Sequence, residues 1–278
     1  MQRPRGTGPR ATGQTAHRKG ENRMKKTILA LGLMVFSLIA AHISIAEIDL
    51  ETAVGIWLFD EGKGDVAEDL SGAGNDGELV KSPAWVKGKF GMALEFDGKA
   101  SCVKTEQKLL DSLEEFTIIT WVQTGDITAN RIGLVGQNDS PEFGFINPNE
   151  LNLWTPTAGG TSNPWEFKHD DGEWHHVGCV ATTDYVHVYI DGEYVEKKGG
   201  WANHGASNFN VNIGGCGVWD PDGNFFTGAM DEVAIFHSAL EQEDIQTLMD
   251  GFQTYLAVEP ANKLSVTWGH LKSINHFR

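Results

Sequence analysis

The segment GEWHHVGCVATTDYVHVYIDGEYV, residues 172–195, spells strand, strand, tight turn, strand. HHVGCVAT and YVHVYI are short runs of β-branched and aromatic residues, and Asp191-Gly192 joins the second run to EYV. Asp-Gly between alternating runs signals a two-residue hairpin, because the turn needs positive φ, which Gly adopts freely and Asp tolerates. The same pattern recurs outward in both directions, in AVGIWLF, MALEF, SCVKT, FTIITWV, RIGLVG and FNVNIGG, with Gly, Asn, Asp and Pro clusters between them. The 33 glycines fit many tight turns. Repeated short strands without intervening helices exclude a parallel α/β sheet and predict an all-β, two-sheet antiparallel sandwich. One helix is expected near the end, where Ser238-Ala-Leu-Glu241 resembles a capping box before QEDIQTLMDG and Gly251 is placed to stop it.

The 278-residue chain begins with 23 basic, small-residue-rich positions that cannot bury a core, and these are expected to be disordered, with Met24 as the true start. Residues 24–46 then read as a secretory signal peptide, with Lys25 and Lys26 ahead of the apolar run Ile28 to Ala41 and Ser44-Ile45-Ala46 at the cut. The run is short of the ~20 apolar residues that span a bilayer, so no membrane span is expected after cleavage. The expected destination is the periplasm, the cell surface or the medium. The part after Ala46 has 14 basic and 37 acidic residues, which argues against nucleic acid and anionic membranes and is compatible with cations. Residues 47–251 are expected to form the domain and 252–278 an irregular tail folding back through Leu256, Leu264 and Trp268. Three cysteines, Cys102, Cys179 and Cys216, allow at most one bridge in an exported chain, and no C-x-x-C spacing suggests redox or zinc chemistry.

Several stretches together resemble the laminin-G-like jelly-roll family of the concanavalin A-like superfamily. They are residues 55–80, GIWLFDEGKGDVAEDLSGAGNDGELV; 85–105, WVKGKFGMALEFDGKASCVKT; 116–122, FTIITWV; 172–195, already quoted; and 226–251, FTGAMDEVAIFHSALEQEDIQTLMDG. Their order and spacing match as well. The resemblance implies a two-sheet antiparallel jelly roll and a binding or adhesion module for a glycan or an extracellular protein. It further implies that enzymatic members gain their activity from an attached domain, for which this length leaves no room. Many members hold one structural calcium. The family's D-x-S-G-x-x-N and G-x-x-D-E-V patterns place its ligands here at Asp69, Asn75 and Asp231.

Two further candidates come from the residues themselves. Glu47-Ile-Asp49-Leu-Glu51 carries carboxylates at i, i+2 and i+4, which on a strand would share one face, as in glycoside hydrolases of the laminarinase type. Its place at the predicted N-terminus makes hydrolysis the least favoured function. Trp154, Trp165, Trp201 and Trp219 lie in polar or Gly-rich stretches, where flat aromatic faces can take the C–H faces of sugars. Trp57, Trp121 and Trp174 are expected in the core. His175 and His176 should point to opposite faces of a strand, unable to share one metal. The expectation is thus an exported, non-catalytic carbohydrate-binding module braced by calcium, with protein adhesion as the alternative.

Overall fold

The structure, a computed structural model, describes residues 48–256. The leader, the signal segment, Glu47, Leu264 and Trp268 lie outside the described residues. Sixteen strands follow in chain order: β1 (Ala53–Trp57), β2 (Val66–Ala67), β3 (Gly77–Val80), β4 (Ala84–Lys87), β5 (Met92–Asp97), β6 (Cys102–Lys104), β7 (Phe116–Thr124) and β8 (Ile132–Gln137) form the first half. The second half is β9 (Glu142–Asn147), β10 (Glu150–Thr155), β11 (Gly159–Pro164), β12 (His175–Ala181), β13 (Tyr185–Ile190), β14 (Glu193–Lys198), β15 (Val211–Ile213) and β16 (Thr227–Phe236). One sheet runs β14-β13-β12-β7-β16-β5-β4, with β1 also paired to β16; the other runs β11-β10-β9-β8-β15-β6-β3-β2. All pairings are antiparallel, as the hairpin grammar requires. The predicted turn is present: Asp191 and Gly192 both take positive φ, 49° and 79°, and join β13 to β14.

The main core lies between the sheets and includes Trp57, Phe96, Ile118, Phe143, Leu153, Val188 and Ile235. A second cluster, with Ile56, Ile119, Phe236, Ile245 and Leu248, covers the outer face of the first sheet. This explains FTIITWV, which is apolar at successive positions: Ile118 faces the sheet-on-sheet core and Ile119 faces the helix-covered side. The cover is helix α1 (Gln242–Leu248), whose Ile245 and Leu248 are buried. Its N-cap is Glu241, whose N–H donates to Asp244 Oδ2 at 3.2 Å; Ser238 instead accepts from Thr117 Oγ1 through its carbonyl and pairs its hydroxyl with Thr52. Gly251 takes φ +95° where the helix stops. A one-turn helix, α2 (Gln253–Leu256), then begins within the stretch expected to be irregular, because Phe252 is buried against Phe236 and its N–H is held by the Glu232 carboxylate.

Trp57 and Trp121 are buried, whereas Trp174 is only half-buried. Three carboxyls are also buried. Burial pushes Glu142 and Glu232 up to about 8 and Asp231 to about 7. An acid raised in the folded state contributes stability that is complete below the ordinary carboxylate range and is lost as pH rises through the folded value. His176, lowered to about 4 by burial, works in the opposite direction: it costs stability as pH falls below its unfolded value of 6.5. Three carboxyls outweigh one imidazole, so thermal stability is expected to be highest near pH 4–5 and to fall as pH rises, by about 5–10 °C between pH 6 and 9, a change of a few kcal/mol. A melting curve flat from pH 6 to 9 would show that these carboxyls ionise without cost.

Candidate functional site: an open groove on the second sheet

The outer face of the second sheet has no helix over it among the described residues. Strand register aligns one transverse row on that face: Gly160, Trp154, Glu142, Gly136, Asn212, Lys104 and Glu78 are successive cross-strand partners from β11 to β3. Alternation explains why these side chains are outside. Leu151 and Leu153 of β10 and Phe143 and Phe145 of β9 enter the core, so Trp154 and Glu142 face away from it.

A loop from Gly214 to Phe226 crosses this face. It can lie flat because β8 carries glycines: a Cβ on Gly133 would sit 2.5 Å from Val218 Cβ, and one on Gly136 would sit 3.0 Å from Val218 Cγ1. A disulfide between Cys102 of β6 and Cys216 ties the loop down, and Cys179 is the free, buried cysteine. The loop carries Trp219 to the face that Trp154 occupies. The two tryptophans line one hollow of about 450 Å³ with Arg131, Asn138, Asp139, Glu142, Asp220 and Pro221.

The polar groups of this hollow are fixed. Arg131 bridges Asp220 at 3.2 Å, donates from Nη2 to the Trp219 carbonyl at 2.6 Å, and lies 5.8 Å from the Trp219 ring centre. Glu142 accepts from the Asp139 N–H at 2.8 Å, and its raised pKa keeps the carboxyl protonated near neutrality, able to donate a hydrogen bond. Trp154 is half-buried and supplies the accessible aromatic surface, whereas Trp219, only 3% exposed, forms a wall. On the other side of Pro221 the face continues into a smaller hollow of about 220 Å³, lined by Lys104, Asn210 and Asn212 among others.

Trp165 and Trp201 do not join this site. Trp165 is part of the main core, stacked on His169 and edge-on to Phe145. Trp201 packs half-buried against the same core beside His204. The polar neighbours of both carry no sign of this, since a loop that folds onto a sandwich end packs its aromatic against that end. Arg131, Glu142 and Asn212 carry no motif in the sequence; strand register aligns Glu142 and Asn212 with Trp154, and Arg131 joins them as a wall of the hollow.

The residues implied for calcium do other work. The Asp69 carboxylate accepts four hydrogen bonds, from Ile56 N, Ser71 N, Ser71 Oγ and Asn75 N, at 2.9–3.0 Å, which fills its lone-pair positions. Asn75 donates its side-chain N–H to the Val54 carbonyl and accepts from Trp57 Nε1 on its backbone oxygen. Asp231 is fully buried in β16 and accepts from the Phe90 N–H. Asp69 therefore has no oxygen to offer a cation, and the three do not fit a shared calcium cage. Among the described residues, no group of three or more His, Cys, Asp or Glu could hold a metal ion. His175 and His176 do face apart: His175 pairs with Asp191, and His176 packs edge-on to Trp121.

The described part of Glu47–Glu51 forms no strand. Asp49 caps a short 3-10 turn, Leu50–Thr52, by accepting from the Glu51 N–H, so the alternation needed for a row of carboxylates is absent.

This two-sheet jelly roll with an open face defines a lectin-like class of fold, and the comparisons agree. The chain belongs to the Laminin_G_3 family of the concanavalin A-like lectin/glucanases superfamily, whose pattern matches residues 97–246. Among solved structures it is similar to domain 4 of AbnA, a GH43 extracellular arabinanase from Geobacillus stearothermophilus, in complex with arabinotriose. The identity is 22%, with 71% of this chain and 98% of that one covered at a TM-score of 0.50. It is also similar to the binding domain of Paraclostridial Mosquitocidal Protein 1, at 14% identity, 73% and 53% coverage and a TM-score of 0.54. A third is the binding domain of botulinum neurotoxin DC in complex with rat synaptotagmin II, at 16% identity, 72% and 52% coverage and a TM-score of 0.50. The chain thus spans about half the length of the two toxin binding domains, and at these identities the likeness is one of fold. No curated protein matches the chain.

Proposed function

We propose that this chain is a non-catalytic carbohydrate-binding module, and that a sugar chain lies across the outer face of the second sheet. The observation that carries this is the single row from Gly160 to Lys104, which sets an accessible Trp154 beside fixed hydrogen-bonding groups in an open groove. Sugars need both elements: an aromatic face for their C–H surfaces and oriented polar groups for their hydroxyls. With Arg131 paired to Asp220 and Glu142 protonated near neutrality, the larger hollow holds no spare cation and keeps the Asp139 carboxylate, which favours a neutral glycan over an anionic one. The lectin-like fold and the arabinotriose held by the arabinanase domain support a sugar as ligand. Export through the signal segment would place the module where glycans are found.

A glycan array probed with the full chain tests this. Retention on neutral oligosaccharides is expected, unchanged by EDTA because the Asp69 set does not fit calcium. Trp154→Ala is expected to weaken binding at least ~10-fold without unfolding the chain, in line with the loss of an anchoring aromatic. Absence of binding to every glycan, or equal binding by the variant, would overturn the assignment.

A further inference from the structure

A second hollow lies away from the groove, between the ends of β11 and β13 and the start of β14. It has a volume of about 430 Å³ and is lined by Asn163, Pro164, Glu166, Phe167, Ile190, Asp191, Glu193 and Tyr194. Of the five large apolar or aromatic side chains exposed among the described residues, Phe167 and Tyr194 are among its lining residues. Clustering of such residues marks interaction surfaces, whereas scattered ones need no account.

Both aromatics are braced from behind. The Phe167 ring lies 3.8 Å from His175 and 5.3 Å from Trp165; Tyr194 stacks at 3.9 Å on His187 and lies 5.0 Å from Tyr189. Tyr194 stacks on the outer face of the sheet with Tyr189, whereas Phe167 stands against core-side residues and forms a rigid wall of the hollow, so little side-chain freedom is lost when a ligand enters. The charged groups in the lining are all carboxylates: Glu166, Asp191 and Glu193. Asp191 is held by His175 Nδ1 and the His176 N–H, which fixes its place. Aromatic faces flanked by carboxylates and no cation suit a ligand that brings its own positive charge, through cation–π contact and charge-assisted hydrogen bonds.

The hollow opens beside β14, the terminal strand of the first sheet, none of whose six residues is buried. An edge strand presents unpaired N–H and C=O groups to an added strand. We propose that this hollow and the β14 edge form a recognition site for a basic peptide segment, an extended strand of a partner protein that lays an arginine or lysine side chain on the Phe167 ring among Glu166, Asp191 and Glu193. The site is separate from the glycan groove, so either can fail without the other.

The test is fluorescence polarisation of the full chain with the labelled peptide acetyl-Thr-Arg-Val-Arg-Thr-Arg-Val-amide and its citrulline counterpart, which keeps the shape and removes the charge. The arginine peptide is expected to bind at least ~10-fold more tightly than the citrulline one, and more weakly at high salt. Phe167→Ala, and separately Glu166→Gln with Glu193→Gln, are each expected to lower its affinity at least fivefold. The charge-neutral pair keeps the test valid if the phenylalanine variant does not fold. Asp65→Asn with Glu68→Gln removes the same charge near β2, at the opposite end of the second sheet, and is expected to change affinity less than twofold. No binding, equal binding of the citrulline peptide, or an equal loss from the remote pair would overturn the proposal. In the last case the net charge of −16 alone would account for the attraction.

Discussion

Cys216→Ser is expected to lower the midpoint of thermal unfolding by about 10 °C and to weaken glycan binding at temperatures where the chain is still folded. The bridge to Cys102 spans 114 residues of sequence, and closing a loop of that size restricts the unfolded chain by about 3–5 kcal/mol. For a domain of this size each kcal/mol moves the midpoint by about 2–4 °C. The binding effect has a separate cause. Cys216 anchors the loop that carries Val218 over Gly133 and Gly136 and brings Trp219 and Asp220 to Arg131. Without the anchor the wall of the groove must be ordered by the ligand, which costs affinity. Calorimetry with and without reductant, paired with binding measured below the transition, checks both. A reduced protein with an unchanged midpoint would sink the first expectation, and unchanged affinity in that state would sink the second.

Asp69→Ala is expected to destabilise the chain by about 2–3 kcal/mol, the range for removing a charged, part-buried hydrogen-bond acceptor. Four donors lose their acceptor together, among them the N–H of Ile56 in β1 and that of Asn75, whose side chain in turn holds the Val54 carbonyl. Asp69 thus ties the loop between β2 and β3 to the first strand from inside. Urea unfolding with a fixed slope measures the loss, and calcium in the buffer is expected to change neither parent nor variant. A loss below about 1 kcal/mol would mean that water replaces the carboxylate at no cost. A calcium-dependent rise in the parent's stability would restore the metal reading of this loop.

Much of the fold was legible because its signals are local. Asp191-Gly192 dictates its hairpin by backbone preference, and the alternating apolar runs dictate which side chains enter the core. The helix after residue 241 announces itself through Ile245 and Leu248, although Ser238, which the sequence offers as its cap, is drawn away by a tertiary bond to Thr52. The site was legible only in part. Polar surroundings mark Trp154 and Trp219 in the sequence, and the two do meet in one groove, but Trp165 and Trp201, which carry the same mark, pack against the core. A tryptophan in a polar loop has the same local signal whether the loop stands free or folds back. The Asp69 loop misled similarly, since acids among glycines serve cations and Asx-type bracing alike, and only the donors around the carboxylate distinguish them.

By itself, then, the sequence determined the class of structure: antiparallel strands, their inward faces, and a helix laid over an all-apolar strand. These follow from side-chain period and turn chemistry, which act over a few residues. Tertiary structure decided which polar side chains stand together. Glu142 lies beside Trp154, and Asn212 beside Lys104, because of strand register, and Trp219 reaches the groove because a disulfide and two glycines let a distant loop lie on the sheet. Register and loop return depend on contacts between residues far apart in the chain, and no short stretch of sequence carries them.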